Sequence, residues 1–132
     1  MTLVEEYINC CQDKTIINTE EGNILFKQLI SKISFHQGGR IDTKNNYIVY
    51  TKLKELKKIL VNKNINHMEK IILLPSNIDV PILEVTLGTF YDCFYDCLSA
   101  SSDIWIVIKK YKIVIECNHD NEIIFCENIS IL

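Results

Sequence analysis

The stretch Asp103–Cys126, DIWIVIKKYKIVIECNHDNEIIFC, decides the fold. It contains three short runs of β-branched and aromatic residues, DIWIVIK, KIVIEC and EIIFC, which is the composition of strands. The joints KKY and NHDN are too short for a crossover, so the runs are expected to be antiparallel neighbours in a three-strand meander. Apolar residues stand on both parities, with Ile104, Ile106 and Ile108 alternating with Trp105 and Val107. A strand apolar on both sides is covered on both faces, or on one face by its own helices and on the other by a partner.

Upstream of the meander the period changes to that of helices. Leu3, Val4, Tyr7, Ile8 and Cys11 follow helical spacing behind Thr2 and Glu5, a capping box. A second helix is predicted from Asn18, with Glu21 three residues on and an apolar face of Leu25, Phe26, Leu29, Ile30 and Ile33. It stops at FHQGGR, where Gly38 and Gly39 break the pattern. A third follows Thr51 as N-cap, with Leu53, Leu56, Ile59 and Leu60 inward and Lys54, Lys57 and Lys58 outward. EKIILLP reads as a short buried strand ended by Pro75, and VPILEV as a strand or a loop. At 132 residues the chain is expected to form a single domain, 1–132. The fold class is α+β, with N-terminal helices packed on a mainly antiparallel sheet ending in the C-terminal meander.

The apolar share is 48%, the charged share 23% and the net charge −3. That balance argues against nonspecific attraction to nucleic acid or anionic membrane and suits a basic partner. No segment approaches the roughly 20 apolar residues of a membrane helix. The N-terminus MTLVEEYINCC lacks the basic start and long apolar run of a signal peptide, so the expected compartment is the cytoplasm. The six cysteines are accordingly expected as reduced thiols.

Two stretches invite chemistry. In TFYDCFYDCL, Thr89–Leu98, the triplet Tyr-Asp-Cys recurs after four residues. On one continuous helix Leu87, Phe90, Tyr91, Phe94 and Leu98 share one side, Asp92 and Asp96 the opposite side, and Cys93 and Cys97 a flank. The paired aspartates read either as a solvated polar face or as the centre of an acidic patch for a basic partner. A metal site on Cys93 and Cys97, with Cys117 and His119, lacks the Cys-x-x-Cys knuckles of zinc sites. Exposed carboxylates with pKa values near about 4 are poor acids at neutral pH. In FHQGGRIDTKN, His36, Arg40 and Asp42 have the residue types of a nuclease or phosphoryl-transfer group, but no phosphate-binding glycine pattern surrounds them. The plainer reading is a loop in which Arg40 ties down Asp42 or a helix C-terminus.

Taken together, the helices, the acidic-faced segment and SSDIWIVIKKYKIVIECNHDNEIIF resemble the small bacterial immunity proteins of contact-dependent growth inhibition and other polymorphic toxin systems. The resemblance covers mainly residues 84–126. It implies a protein that binds one cognate toxin domain and neutralises it, blocking the active site or substrate cleft. Many such toxins are nucleases with basic clefts. Under this reading the toxin-binding candidates are Asp92 and Asp96, with Tyr95, Glu84, Asp103, Glu116, Asp120 and Glu122. No catalysis, cofactor or metal is expected, nor any nucleic-acid or membrane partner, and the protein is expected as a monomer or weak homodimer. The alternatives are a small nuclease or hydrolase using His36, Arg40 and Asp42, and a structural module that dimerises through an apolar sheet face.

Overall fold

The computed structural model describes residues 1–33, 47–50 and 52–132. Their elements are α1 (Leu3–Cys10), β1 (Thr15–Ile17), α2 (Thr19–Lys32), β2 (Ile48–Tyr50), α3 (Leu53–Asn62), β3 (Lys70–Pro75) and β4 (Ile82–Thr86). There follow α4 (Leu87–Asp92), α5 (Phe94–Ala100), β5 (Ile104–Ile108), a 3-10 turn (Lys109–Tyr111), β6 (Ile113–Cys117) and β7 (Ile123–Cys126). The strands form one seven-stranded sheet in the order β1-β4-β3-β5-β6-β7-β2. Every pairing in it is antiparallel. The class is α+β, as expected, and the ILEV of VPILEV lies in strand β4. Among the described residues no helix is long and apolar enough to cross a membrane.

The meander forms as its composition dictates. Every residue of β5, β6 and β7 is buried, and the two parities feed two separate cores. On one face Ile104, Ile106, Ile113, Ile115 and Phe125 meet Tyr7 of α1, Leu56 and Leu60 of α3, Leu87 and Phe90 of α4, and Phe94 of α5. On the other, Trp105, Val107, Val114 and Ile124 meet Leu25 and Leu29 of α2, together with Ile33, Ile129 and Ile131. Both apolar faces are thus covered by the chain itself.

The helix starts are built by side-chain caps that relieve orphan backbone donors. The Glu5 N–H donates to Thr2 Oγ1 at 3.1 Å, and the Glu21 N–H to Asn18 Oδ1 at 2.8 Å. Thr51 lies outside the described residues. Lys52 holds the N-cap position of α3, and its N–H donates to Glu55 Oε1 at 3.2 Å. On α2 the buried stripe is Gly22, Leu25 and Leu29. Phe26 and Ile30, expected in the core, lie beside that stripe and are 37% and 51% exposed. The Phe26 ring still rests against Trp105, with centroids 5.8 Å apart.

Two expectations need correction. The doublet is not one helix: it breaks at Cys93 (φ −104°, ψ 18°), which ends α4 and starts α5. Nor are all six cysteines free. Cys10 at the end of α1 and Cys93 at the break are joined by a disulfide, with Cα atoms 5.9 Å apart across a sequence separation of 83. Their neighbours Cys11 and Cys97 are buried thiols at the same α1–α5 contact. An eight-residue helix is marginal alone. α1 is held by this bridge, by buried Tyr7, whose hydroxyl donates to the Pro81 carbonyl at 3.1 Å, and by Asp13 just beyond it, which accepts the Thr86 N–H at 3.0 Å.

The four remaining thiols are buried. The hydrogen bond with Cys11 and burial push the Cys97 thiol up, burial and the Glu116 charge do the same for Cys117, and Cys126 is pushed up to about 12 by burial and Glu116. A raised thiol pKa disfavours the reactive thiolate; Cys11 is pulled the other way by its hydrogen bond with Cys97, but it is fully buried and shielded from reagent. Native protein purified without reductant should therefore react slowly with a thiol reagent at pH 8. In denaturant it should show four thiols, and six after reduction; a count of six before reduction would refute the bridge. Cys10→Ser should lower stability by roughly 2–4 kcal/mol in denaturant unfolding, because the bridge closes a long loop.

Candidate functional site

The strand register sends the two ends of the sheet in opposite chemical directions. At one end Pro75 pairs with Ile104, Ile104 with Cys117, and Cys117 with Ile123. Asp103 and the turn Asn118–Glu122 therefore lie together there. At the other end Ile108 pairs with Ile113 around the 3-10 turn, which carries Lys109 and Lys110, with Lys112 just after it. Lys63 at that end pairs with Glu127 at 2.9 Å.

The acidic end is stiffened by a connected polar network. Asp103 is 5% exposed, yet its Oδ1 accepts the His119 N–H at 3.0 Å and faces His119 Nδ1 at 2.9 Å. His119 Nε2 lies 3.8 Å from the Asp120 carboxylate. The Asp103 carbonyl accepts from the Ser76 N–H at 3.0 Å and from Ser101 Oγ at 2.9 Å, fastening the strand start beneath the turn. Glu116, expected among the partner-contacting carboxylates, is fully buried. Trp105 Nε1–H donates to its Oε1 at 2.9 Å and Asn118 Nδ2 to its Oε2 at 3.1 Å. A carboxylate sealed in this way costs several kcal/mol unless such donors satisfy it.

Beside this turn lies a pocket of about 310 Å³ between α3, α5 and the β6–β7 turn, with Tyr95, Lys52, Phe94, Asn118, Asn121 and Glu122 in its lining. Tyr95 stands at its rim, 81% exposed, with its ring edge-on to Phe94 at 5.5 Å between centroids. Of the eight candidates, Tyr95 and Glu122 share this lining, and Asp103 and Asp120 meet His119 in the adjacent turn. Asp92 is exposed at the end of α4 and Asp96 is half-buried in the first turn of α5, where its charge acts on Cys11 and Cys97. Glu84 is set apart. Its register opposite Ile72 places it on the α2 face of the sheet, away from α4 and α5. His36, Arg40 and Asp42 lie outside the described residues. Among the described residues no three His, Cys, Asp or Glu side chains converge as metal ligands, and Cys93 is in the disulfide.

Asn118 was not singled out from the sequence, although Asn in a polar turn commonly bonds its own backbone. A second hollow, of about 580 Å³, opens at the β1 edge between Ile16, Phe26, Leu74, Ile78 and Ile82, and no charged residue lines it.

Trp105→Phe removes one donor from Glu116 and should cost about 1–3 kcal/mol in denaturant unfolding. A variant as stable as the wild type would mean that the indole bond contributes nothing to holding the buried carboxylate.

A family model described as CdiI immunity protein EcoliA0-like matches residues 1–126 of the chain. None of the curated proteins matches it in sequence.

Proposed function

The chain belongs to the family of EcoliA0-like CdiI immunity proteins, and from that membership we propose that it neutralises its cognate toxin domain by plain occlusion, without catalysis. The match extends over nearly the whole described fold, well beyond the region of the resemblance at residues 84–126. The observation that carries the choice of surface is the acidic end of the sheet, where Glu122 shares a pocket with the exposed ring of Tyr95 and Asp120 lies on the same turn as Glu122. An exposed tyrosine at the mouth of a pocket has the character of an interface anchor, since it offers large contact area at low entropic cost. Glu122 in the same lining and Asp120 on its turn suit a cleft that is basic because its substrate is anionic, as in a nuclease, with Lys52 the one cation among the described residues of that lining. Asp92 and Asp96 extend the same charge along α4 and α5. Asp103 and Glu116 support this surface from below and do not touch the partner. The protein acts inside the cell that makes the toxin, as a monomer or weak homodimer that needs no metal or cofactor.

The test is a calorimetric titration with the toxin domain encoded by the neighbouring gene. Tyr95→Ala should weaken binding by about 2 kcal/mol or more. The pair Asp92→Asn and Asp96→Asn should cost roughly 2–5 kcal/mol if both carboxylates are desolvated in the complex. Asp92→Asn alone, at an exposed position, should change folding stability by less than about 0.5 kcal/mol. Unchanged affinity for both variants would remove this end of the molecule from the interface. A loss on Ile78→Asp instead would move the contact to the uncharged hollow at the β1 edge.

A further inference from the structure

We infer that Asn118 is the positioning residue of this surface: it sets the Glu122 carboxylate and the Asp120 backbone in the conformation that the toxin meets. The inference rests on the proposed role of the acidic end. Asn118 is 4% exposed, so it offers a partner almost nothing to touch. Its side chain instead spends all its hydrogen-bonding capacity on the turn and the floor beneath it. Nδ2 donates to Glu116 Oε2 at 3.1 Å and to Glu122 Oε1 at 3.2 Å. Oδ1 accepts the N–H of Asp120 at 3.0 Å and the N–H of Glu122 at 3.2 Å. Its own N–H donates to the Glu122 carbonyl at 3.1 Å, and its carbonyl accepts the Asn121 N–H at 3.1 Å. Asn121 takes the left-handed conformation that closes the turn (φ 60°).

The chemistry of the amide is specific to this task. One neutral group supplies two donors to two carboxylates and an acceptor to two backbone N–H groups. Aspartate has the same shape but no donor, and would set a third negative charge between Glu116 and Glu122. Serine reaches the backbone N–H groups but not both carboxylates. The line of bonds from Trp105 through Glu116 and Asn118 to Glu122 therefore links the closed core to the rim of the pocket. A rim carboxylate already held in place loses less rotamer freedom on binding than a free one.

A double-mutant cycle on the full chain tests this, using Asn118→Ser, Glu122→Gln and the two together. The probe is the toxin domain encoded by the neighbouring gene, and thermal melts are recorded alongside. Glu122→Gln should weaken binding about tenfold in the wild-type background, equivalent to about 1.4 kcal/mol. In the Asn118→Ser background it should cost less than about threefold, because the carboxylate has lost its bond to the Asn118 amide. Amide hydrogen exchange at Asp120 and Glu122 should quicken in Asn118→Ser without toxin present, while the strand amides of β5 stay protected. Equal cost of Glu122→Gln in both backgrounds would overturn the positioning role and leave the surface intact. No cost of Glu122→Gln in the wild type would overturn the positioning role too, and if Tyr95→Ala is also silent the surface reading falls with it. If Asn118→Ser melts below the assay temperature, Trp105→Phe takes its place as the variant that loosens the same line of bonds. The same reduction in the cost of Glu122→Gln is expected, and its absence overturns the inference.

Discussion

A strand with no exposed residue forces the rest of the architecture. Ile104–Ile108 is buried along its whole length, so both faces of the sheet need a roof. Four helices provide one and α2 with the C-terminal residues Ile129 and Ile131 the other. Sequence that might have dressed an outer surface is committed to covering this strand. What remains for a partner is the rim: the two sheet ends and the outer sides of the helices. A dimer through a bare apolar sheet face would have to displace one of these covers.

The rim is not uniform. Antiparallel pairing returns every hairpin turn to one end or the other, so the composition of a few turns sets the charge of each end. The turn Asn118–Glu122 and the start of β5 make one end acidic, and the lysines around the 3-10 turn load the other. With a net charge of −3, the molecule gains orientation from this separation more than from its total charge.

The meander was legible because β-branched runs with short joints leave one topology. The capped helices were legible because Thr2 and Asn18 announce them. The edge strands β1 and β2 were not, because three residues carry no period of their own and become strands by pairing with β4 and β7. The break at Cys93 was invisible for a related reason: the same residues suit a continuous helix, and long-range packing with a disulfide to Cys10 sets the bend. Of the site, Tyr95 and the turn carboxylates were legible as polar residues in polar places. Glu116 was misjudged, although its setting between Ile115 and Cys117 in a doubly buried strand contained the correction. A charge at such a position has nowhere to go but inward, and a tryptophan on the neighbouring strand is a ready donor.

The order of strands has a consequence for the chain as it is being made. β2, ending at Tyr50, closes one edge of the sheet against β7, which ends at Cys126. At translation rates of roughly 5–20 residues per second, the 76 residues separating those two points take about 4–15 s to synthesise. Over that interval Ile48, Val49 and Tyr50 have no strand to join, and α2 has no completed sheet to cover. The nascent protein therefore passes through a window in which the short helices of its first half have no finished core to hold them. Unpaired strand edges and exposed apolar surface in a half-made chain are open to aggregation, so the closing of this edge is a matter of timing as well as of final stability.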